Sequence, residues 1–148
     1  MEHRYHSRTL IKTIGQDLYS TEGPRHLMQA ILHAIVGHWN LFEAGWLHCD
    51  VSIGNVLTMS PELRVSGQKF PWTKGTLCVG MIIDYDHAIK WDDIHMVTTI
   101  QKTVTWPFMS CRLVEHWMQK KPTFHHPLDD LESFLWVSLW TLAHLEPE

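Results

Sequence analysis

Cysteine is scarce in this 148-residue chain, and what there is stands apart: Cys49, Cys78 and Cys111, with no C-x-x-C pair. That argues against a disulfide framework and against a thiol-rich zinc site, and reduced thiols in an intracellular protein are expected. Charge is also sparse. Only 19% of the residues are charged, the net charge is −4 and no long run carries one sign, so neither a nucleic-acid face nor an anionic membrane surface is indicated. The start, Met1 to His6, is polar and rich in histidine, unlike an apolar signal segment. The longest apolar stretches are interrupted by His, Glu or Gln, so no membrane span is expected. The expectation is a soluble intracellular protein, with cytoplasm and nucleus not distinguished.

The chain has no shortage of apolar material. A 45% hydrophobic fraction over this length supports one domain with a real core. Tryptophan is abundant: Trp39, Trp46, Trp72, Trp91, Trp106, Trp117, Trp136 and Trp140 exceed what so small a core encloses, so some are expected to lie exposed or against a partner. The histidine pairs His3/His6 and His125-His126 have no second ligand pair at zinc spacing and read as surface or capping residues.

Residues 1–20 form a lead-in, with a turn or two of helix expected between Leu10 and Tyr19. Ser20-Thr21-Glu22-Gly23-Pro24 is a helix start with proline near the first position. Leu27, Met28, Ile31, Leu32, Ile35, Trp39 and Phe42 then recur at spacings of three and four, which predicts a helix over Arg25–Ala44 with Gly45 as its stop. Beyond it, Trp46-Leu47-His48 is short and extended, 51–54 is a loop, Val56-Leu57-Thr58 is a strand, and Pro- and Gly-bearing 59–77 is a long connection. Leu77 to Ile83 is an apolar strand that pairs with the first in a two-stranded ribbon. A short helix is expected from Ser110 to Gln119. A second strong helix spans Leu128–Leu145, with Asp129 and Asp130 in its first turn and Leu131, Phe134, Leu135, Leu139 and Leu142 as its apolar stripe. Asp92-Asp93 reads as a solvated turn, and Glu132 as a cap or partner within its own helix.

One constellation carries chemistry. In His48-Cys49-Asp50-Val51-Ser52-Ile53-Gly54-Asn55, an aspartate and an asparagine stand five apart behind a histidine. Asp84-Tyr85-Asp86 follows the apolar run ending at Ile83. Phosphoryl transfer asks for this set: a carboxylate to orient a hydroxyl and accept its proton, and an amide oxygen with a second carboxylate to hold magnesium.

The pattern resembles the catalytic loop of a protein kinase, in the form found in the fungal-type protein kinase family. Ile82-Ile83-Asp84-Tyr85-Asp86-His87-Ala88 is similar to that family's magnesium-binding motif. Thr105-Trp106-Pro107-Phe108-Met109-Ser110 is similar to the end of its activation segment, and Asp129-Asp130-Leu131-Glu132-Ser133-Phe134 to the start of its large central helix. Together the four motifs cover roughly residues 25 to 145, in the family's order.

The resemblance implies an α+β, mainly α fold: the C-terminal-lobe portion of a protein-kinase-like fold with a small β-ribbon. It implies ATP and magnesium as cofactors and transfer to serine or threonine hydroxyls of proteins. Asp50 would be the catalytic aspartate, with Thr105 beside it. Asn55 and Asp84 would be the metal and nucleotide ligands, close enough to share one magnesium. Asp130 would be the buried carboxylate that fixes the loop backbone, and His48 the loop's structural histidine.

The chain also departs from the pattern. Cys49 replaces an arginine that usually meets a phosphorylated activation loop. Ser52 replaces the lysine of many serine/threonine kinases, Tyr85-Asp86 replaces Phe-Gly, and Val104 replaces a common glycine. No G-x-G-x-x-G loop, V-A-I-K lysine or partner glutamate helix is found. The domain expectation is therefore residues 1–148 as one partial kinase-like domain, catalytic loop to central helix, with the ATP-covering lobe absent. Two functions stay open: a phosphotransferase, and a non-catalytic pseudokinase, binding module or truncated gene product. No protein partner is indicated.

Overall fold

The computed structural model describes residues 14–64, 77–91 and 105–145. Its first long element is α1, Pro24–Glu43. Proline at the first position gives up only an N–H that a helix start leaves unpaired. After Ala44 the chain turns at Gly45, whose φ of 89° is the left-handed conformation that glycine adopts without steric cost.

Short strands follow. The first, β1 (Gly15–Gln16), precedes α1. β2 (Trp46–Leu47) pairs antiparallel with β5 (Ile89–Lys90), Leu47 opposite Ile89. β3 (Val56–Met59) pairs antiparallel with β4 (Gly80–Ile82), Val56 opposite Ile82. The expected two-stranded ribbon is thus the larger part of a three-stranded sheet, because β1 adds to the free edge of β3, Gly15 opposite Met59. The helix expected between Leu10 and Tyr19 is not formed in its described part. There, β1 is followed by a single 3-10 turn at Leu18–Ser20. Asp17 closes that turn by accepting the Ser20 N–H at 2.9 Å and its hydroxyl at 3.0 Å, a local alternative to continued helix.

Helix α1 lies on the sheet and on the final helix. It comes so near β4 that a Cβ placed on Gly80 would sit 2.0 Å from the carbonyl oxygen of Ala30, so glycine is what lets helix and strand touch. α2 (Cys111–Met118) starts at Ser110, whose hydroxyl accepts the Leu113 N–H. α3 (Pro127–His144) starts at His126, whose Nδ1 accepts the Leu128 N–H while Asp129 accepts the His126 N–H at 2.7 Å. His126 is a cap, as expected. Both helix ranges agree with those read from periodicity to within a residue.

The buried faces differ from the expected ones. In α1 the inward face is Leu27, Ala30, Ile31, Ala34 and His38, while Met28, Leu32 and Trp39 are exposed. In α3 it is Asp130, Ser133, Phe134, Val137 and Thr141, while Leu131, Leu135, Leu139 and Leu142 are exposed. The inward hydroxyls are satisfied within the helix: Ser133 donates to Asp129 O and Thr141 to Val137 O. The core joins Leu27, Ile31, Val51, Val56, Ile82, Phe108, Phe134 and Val137. Trp136 packs partly buried against it, whereas Trp39, Trp46, Trp91, Trp106, Trp117 and Trp140 are exposed. The middle of the 59–77 connection, Trp72, Asp92-Asp93, Val104 and the His3/His6 pair lie outside the described residues.

Candidate functional site: a carboxylate loop braced by the central helix

The loop from His48 to Asn55 runs between β2 and β3. Its far end is a tight turn, with the N–H groups of Asn55 and Val56 both donating to Ser52 O, at 3.0 and 3.2 Å. The turn folds Asn55 back onto Asp50: Asn55 Nδ2 donates to Asp50 O at 2.8 Å and to Asp50 Oδ2 at 3.2 Å. Among the described residues the side-chain bonds of Asn55 run through Nδ2, and no donor to Oδ1 is found. The other carboxylate oxygen of Asp50 receives long contacts from Thr105, 3.5 Å from its N–H and 3.4 Å from its hydroxyl. Asp50 and Asn55 are both nearly buried. Asp50, Asn55 and Thr105 are thus brought together.

Asp84 is set by its neighbour Ile83, which has no chemistry of its own. The Ile83 N–H donates to Asn55 O at 2.9 Å, and Ile83 O accepts from His48 Nε2 at 2.9 Å. The residue that follows β4 is therefore tied to both ends of the loop, and Asp84 comes next. Asp84 is exposed and adopts φ 64°, a left-handed conformation that costs a non-glycine residue of order 1 kcal/mol or more and recurs at functional sites. Its Oδ1 accepts the Asp86 N–H at 3.4 Å. An amide oxygen and a carboxylate are the hard donors that magnesium takes, and their chemistry fits that ion. Among the described residues no three His, Cys, Asp or Glu groups gather as a metal centre.

His48 is fully buried. Its Nδ1 accepts the Asp50 N–H at 3.3 Å, so Nε2 carries the proton it gives to Ile83. Burial pushes its pKa below the usual histidine value, against the bond to Ile83 and the charge of Asp130, and this fixed neutral tautomer suits both contacts.

Asp130 is the brace. With 0% exposure, it accepts the His48 N–H at 3.0 Å and the Cys49 N–H at 3.1 Å. It also faces His38 Nε2 and His125 Nε2, each at 2.7 Å. Burial alone would raise its pKa, but the bonds and charges of His125 and His38 prevail and hold it far below the usual carboxylate range. Cys49, between the two roles, is at φ 64°. Burial, reinforced by Asp130, pushes its thiol pKa far up.

Next along α3, Asp129 meets the Arg112 guanidinium in a two-pronged pair. Nε lies 3.2 Å from Oδ1, and Nη2 is closer still to Oδ2. Ser110 adds a 2.6 Å bond. This second carboxylate anchors α2 to α3. Glu132 accepts from Trp136 within its own helix, as expected, and also from the Cys111 N–H at 2.8 Å.

The sequence reading missed His38 and misread His125. His38 lies on the inward face of α1 with Leu27, Ile31 and Ala34, and a histidine at that spacing was the available signal. His125 was expected at the surface or as a cap, but its ring is turned in to Asp130, with 11% of the side chain exposed. An unpaired buried carboxylate would be costly, and the ring supplies a donor.

The model of the fungal protein kinase family matches residues 1–142. The chain belongs to that family. As a fungal protein kinase family member it is mixed in secondary structure and mainly helical, with small antiparallel sheets. Comparison with curated proteins and with solved structures returned no match. Among the described residues no helix is long and apolar enough to cross a membrane.

Proposed function

We propose that this kinase-like domain carries the hydroxyl-orienting and metal-holding residues of an ATP- and magnesium-dependent phosphotransferase acting on serine or threonine hydroxyls of proteins. The observation that supports this most is the clasp of Asn55 on Asp50, combined with the double tie of Ile83 to Asn55 and His48. Together these hold the loop in one arrangement relative to the residue that precedes Asp84.

In this reading Asp50 orients the acceptor hydroxyl and takes its proton, and Thr105 steadies the Asp50 carboxylate. Asn55 Oδ1 and the Asp84 carboxylate hold magnesium, which neutralises charge on the phosphates when bound. Asp130 and His48 keep the loop backbone in place. The arrangement is preorganised, and preorganisation is most of what phosphoryl transfer requires of a protein.

A second reading, a non-catalytic nucleotide-binding or regulatory module, is favoured by the absence of any G-x-G-x-x-G loop in the chain. One experiment separates the two: transfer of labelled phosphate from ATP to a protein acceptor, with the melting shift in ATP and magnesium measured alongside. Saturation at 100 times Kd adds about 2.7 kcal/mol of stability, and Asp84→Asn should abolish the shift. Asp50→Asn should keep the shift and lower transfer by about 10²-fold or more. A shift without transfer in the unaltered chain would select the binding module. No shift at millimolar ATP would reject the phosphotransferase and favour a regulatory module that binds no nucleotide.

A further inference from the structure

We propose that His125 is a positioning residue for the loop His48–Asn55, acting through the outer oxygen of Asp130; the catalytic meaning of that loop rests on the reading above. The four close donors to Asp130 divide evenly. Oδ2 receives His38 Nε2 at 2.7 Å and the His48 N–H at 3.0 Å. Oδ1 receives His125 Nε2 at 2.7 Å and the Cys49 N–H at 3.1 Å, and that N–H reaches Oδ2 only at 3.4 Å. A carboxylate offers about four lone-pair sites, and by its shortest contacts each oxygen here takes one imidazole and one amide.

The division matters because the terminal torsion of an aspartate is soft. His38 and the His48 N–H hold Oδ2, and without His125 the Cys49 N–H would be the one close donor left on Oδ1. His125, on Oδ1, restrains that torsion further. The oxygen it fixes is the one that holds the Cys49 amide. Cys49 is in the left-handed region at φ 64°, a conformation that persists only where its surroundings over-determine it, and the next residue is Asp50.

His125 reaches this point from outside the two helices that face each other. His38 comes from α1 and Asp130 from α3, whereas His125 belongs to the segment between α2 and α3. The cap of α3 is a different residue, His126, so His125 is not needed to start the helix. Its ring nitrogen is five residues from its target and joins no other described group.

The test is amide hydrogen exchange of the whole chain, comparing the native protein with His125→Phe, which keeps a ring and loses the donor, and His125→Gln, which returns an amide donor. In His125→Phe the Cys49 amide should exchange about tenfold faster or more, the scale of losing a bond to a charged group. The His48 amide, on the oxygen that His38 holds, should accelerate less. The α1 amides of Ile31 and Ala34 should be unchanged, and His125→Gln should restore most of the Cys49 protection.

A uniform acceleration across Cys49, Ile31 and Ala34 would show a merely structural role and overturn the proposal. So would unchanged Cys49 exchange, or equal behaviour of the Phe and Gln variants. If His125→Phe does not fold, His125→Asn, whose amide is too short to reach, reads the same ratio of Cys49 to Ile31 exchange. Exchange requires neither nucleotide nor acceptor, so a failed transfer assay leaves this test intact, and a failed exchange test leaves the transfer reading to its own assay.

Discussion

A carboxylate without water stays an anion only where donors replace the water, and Asp130 and His48 turn that rule into a pH dependence. The folded pKa of Asp130 is held below its ordinary 3.8. Its contribution to stability is therefore complete above that value and is lost as pH falls toward the folded pKa. His48 acts in the same sense: burial first of all keeps its folded pKa below 6.5, so below 6.5 the unfolded chain takes up the proton before the folded one does. The melting temperature should decline as pH falls below about 6.5, and more steeply below about 4. A titration of the His48 imidazole by NMR should place its midpoint below 6.5, and a midpoint at or above that value would contradict the buried neutral ring. Asp50, Asn55 and Asp84 could be singled out in the sequence by their spacing, whereas His48 and Asp130 were marked only by the family resemblance. His38 and the inward turn of His125 were not legible, because a lone histidine looks alike on a helix face and at a surface.

At the scale of the elements, the helices were legible in extent but not in orientation, and the reason is physical. Each of the two long helices has two apolar stripes. In α3 the richer one, Leu128, Leu131, Leu135, Leu139 and Leu142, faces out, while Asp130, Ser133 and Thr141 face in with Phe134 and Val137. Hydropathy alone selects the wrong side, because it counts a carboxylate or hydroxyl against burial even where donors and i−4 carbonyls satisfy it. The ribbon strands β3 and β4 were located, but β1 and β5 were not, since a two-residue strand has no period to read. Truncation separates the two faces of α3. Phe134→Ala should cost about 3–5 kcal/mol, the usual penalty for an emptied aromatic site, while Leu135→Ala should change stability by no more than about 0.5 kcal/mol. Denaturant unfolding of both variants measures this, and equal costs would place the leucine face inside.

At the scale of the whole molecule, the same leucines set its behaviour in solution. Leu135 is 53% and Leu139 49% exposed, and they lie along one face of α3 with three further leucines. Exposed apolar surface of this kind marks contact sites or aggregation liabilities. The chain should bind a hydrophobic dye while folded and associate with itself at raised concentration. Leu135→Lys with Leu139→Lys should remove most of the dye signal and sharpen a light-scattering profile to one species, with little change in melting temperature. A native chain that binds no dye would show that this face is covered in a way the structure does not contain.

The edge-to-face pair Trp106–Trp117, with ring centroids 4.3 Å apart and planes at 88°, gives the protein an optical gauge. Two indoles so close exchange electronic excitation and split their absorption into a circular-dichroism couplet. One ring stands next to Thr105, the residue that reaches Asp50, and the other rides on α2. The couplet therefore measures whether the 3-10 turn Trp106–Phe108, which Thr105 begins, is seated against α2, and its fading during a titration would signal that turn leaving its place before any helix has unwound.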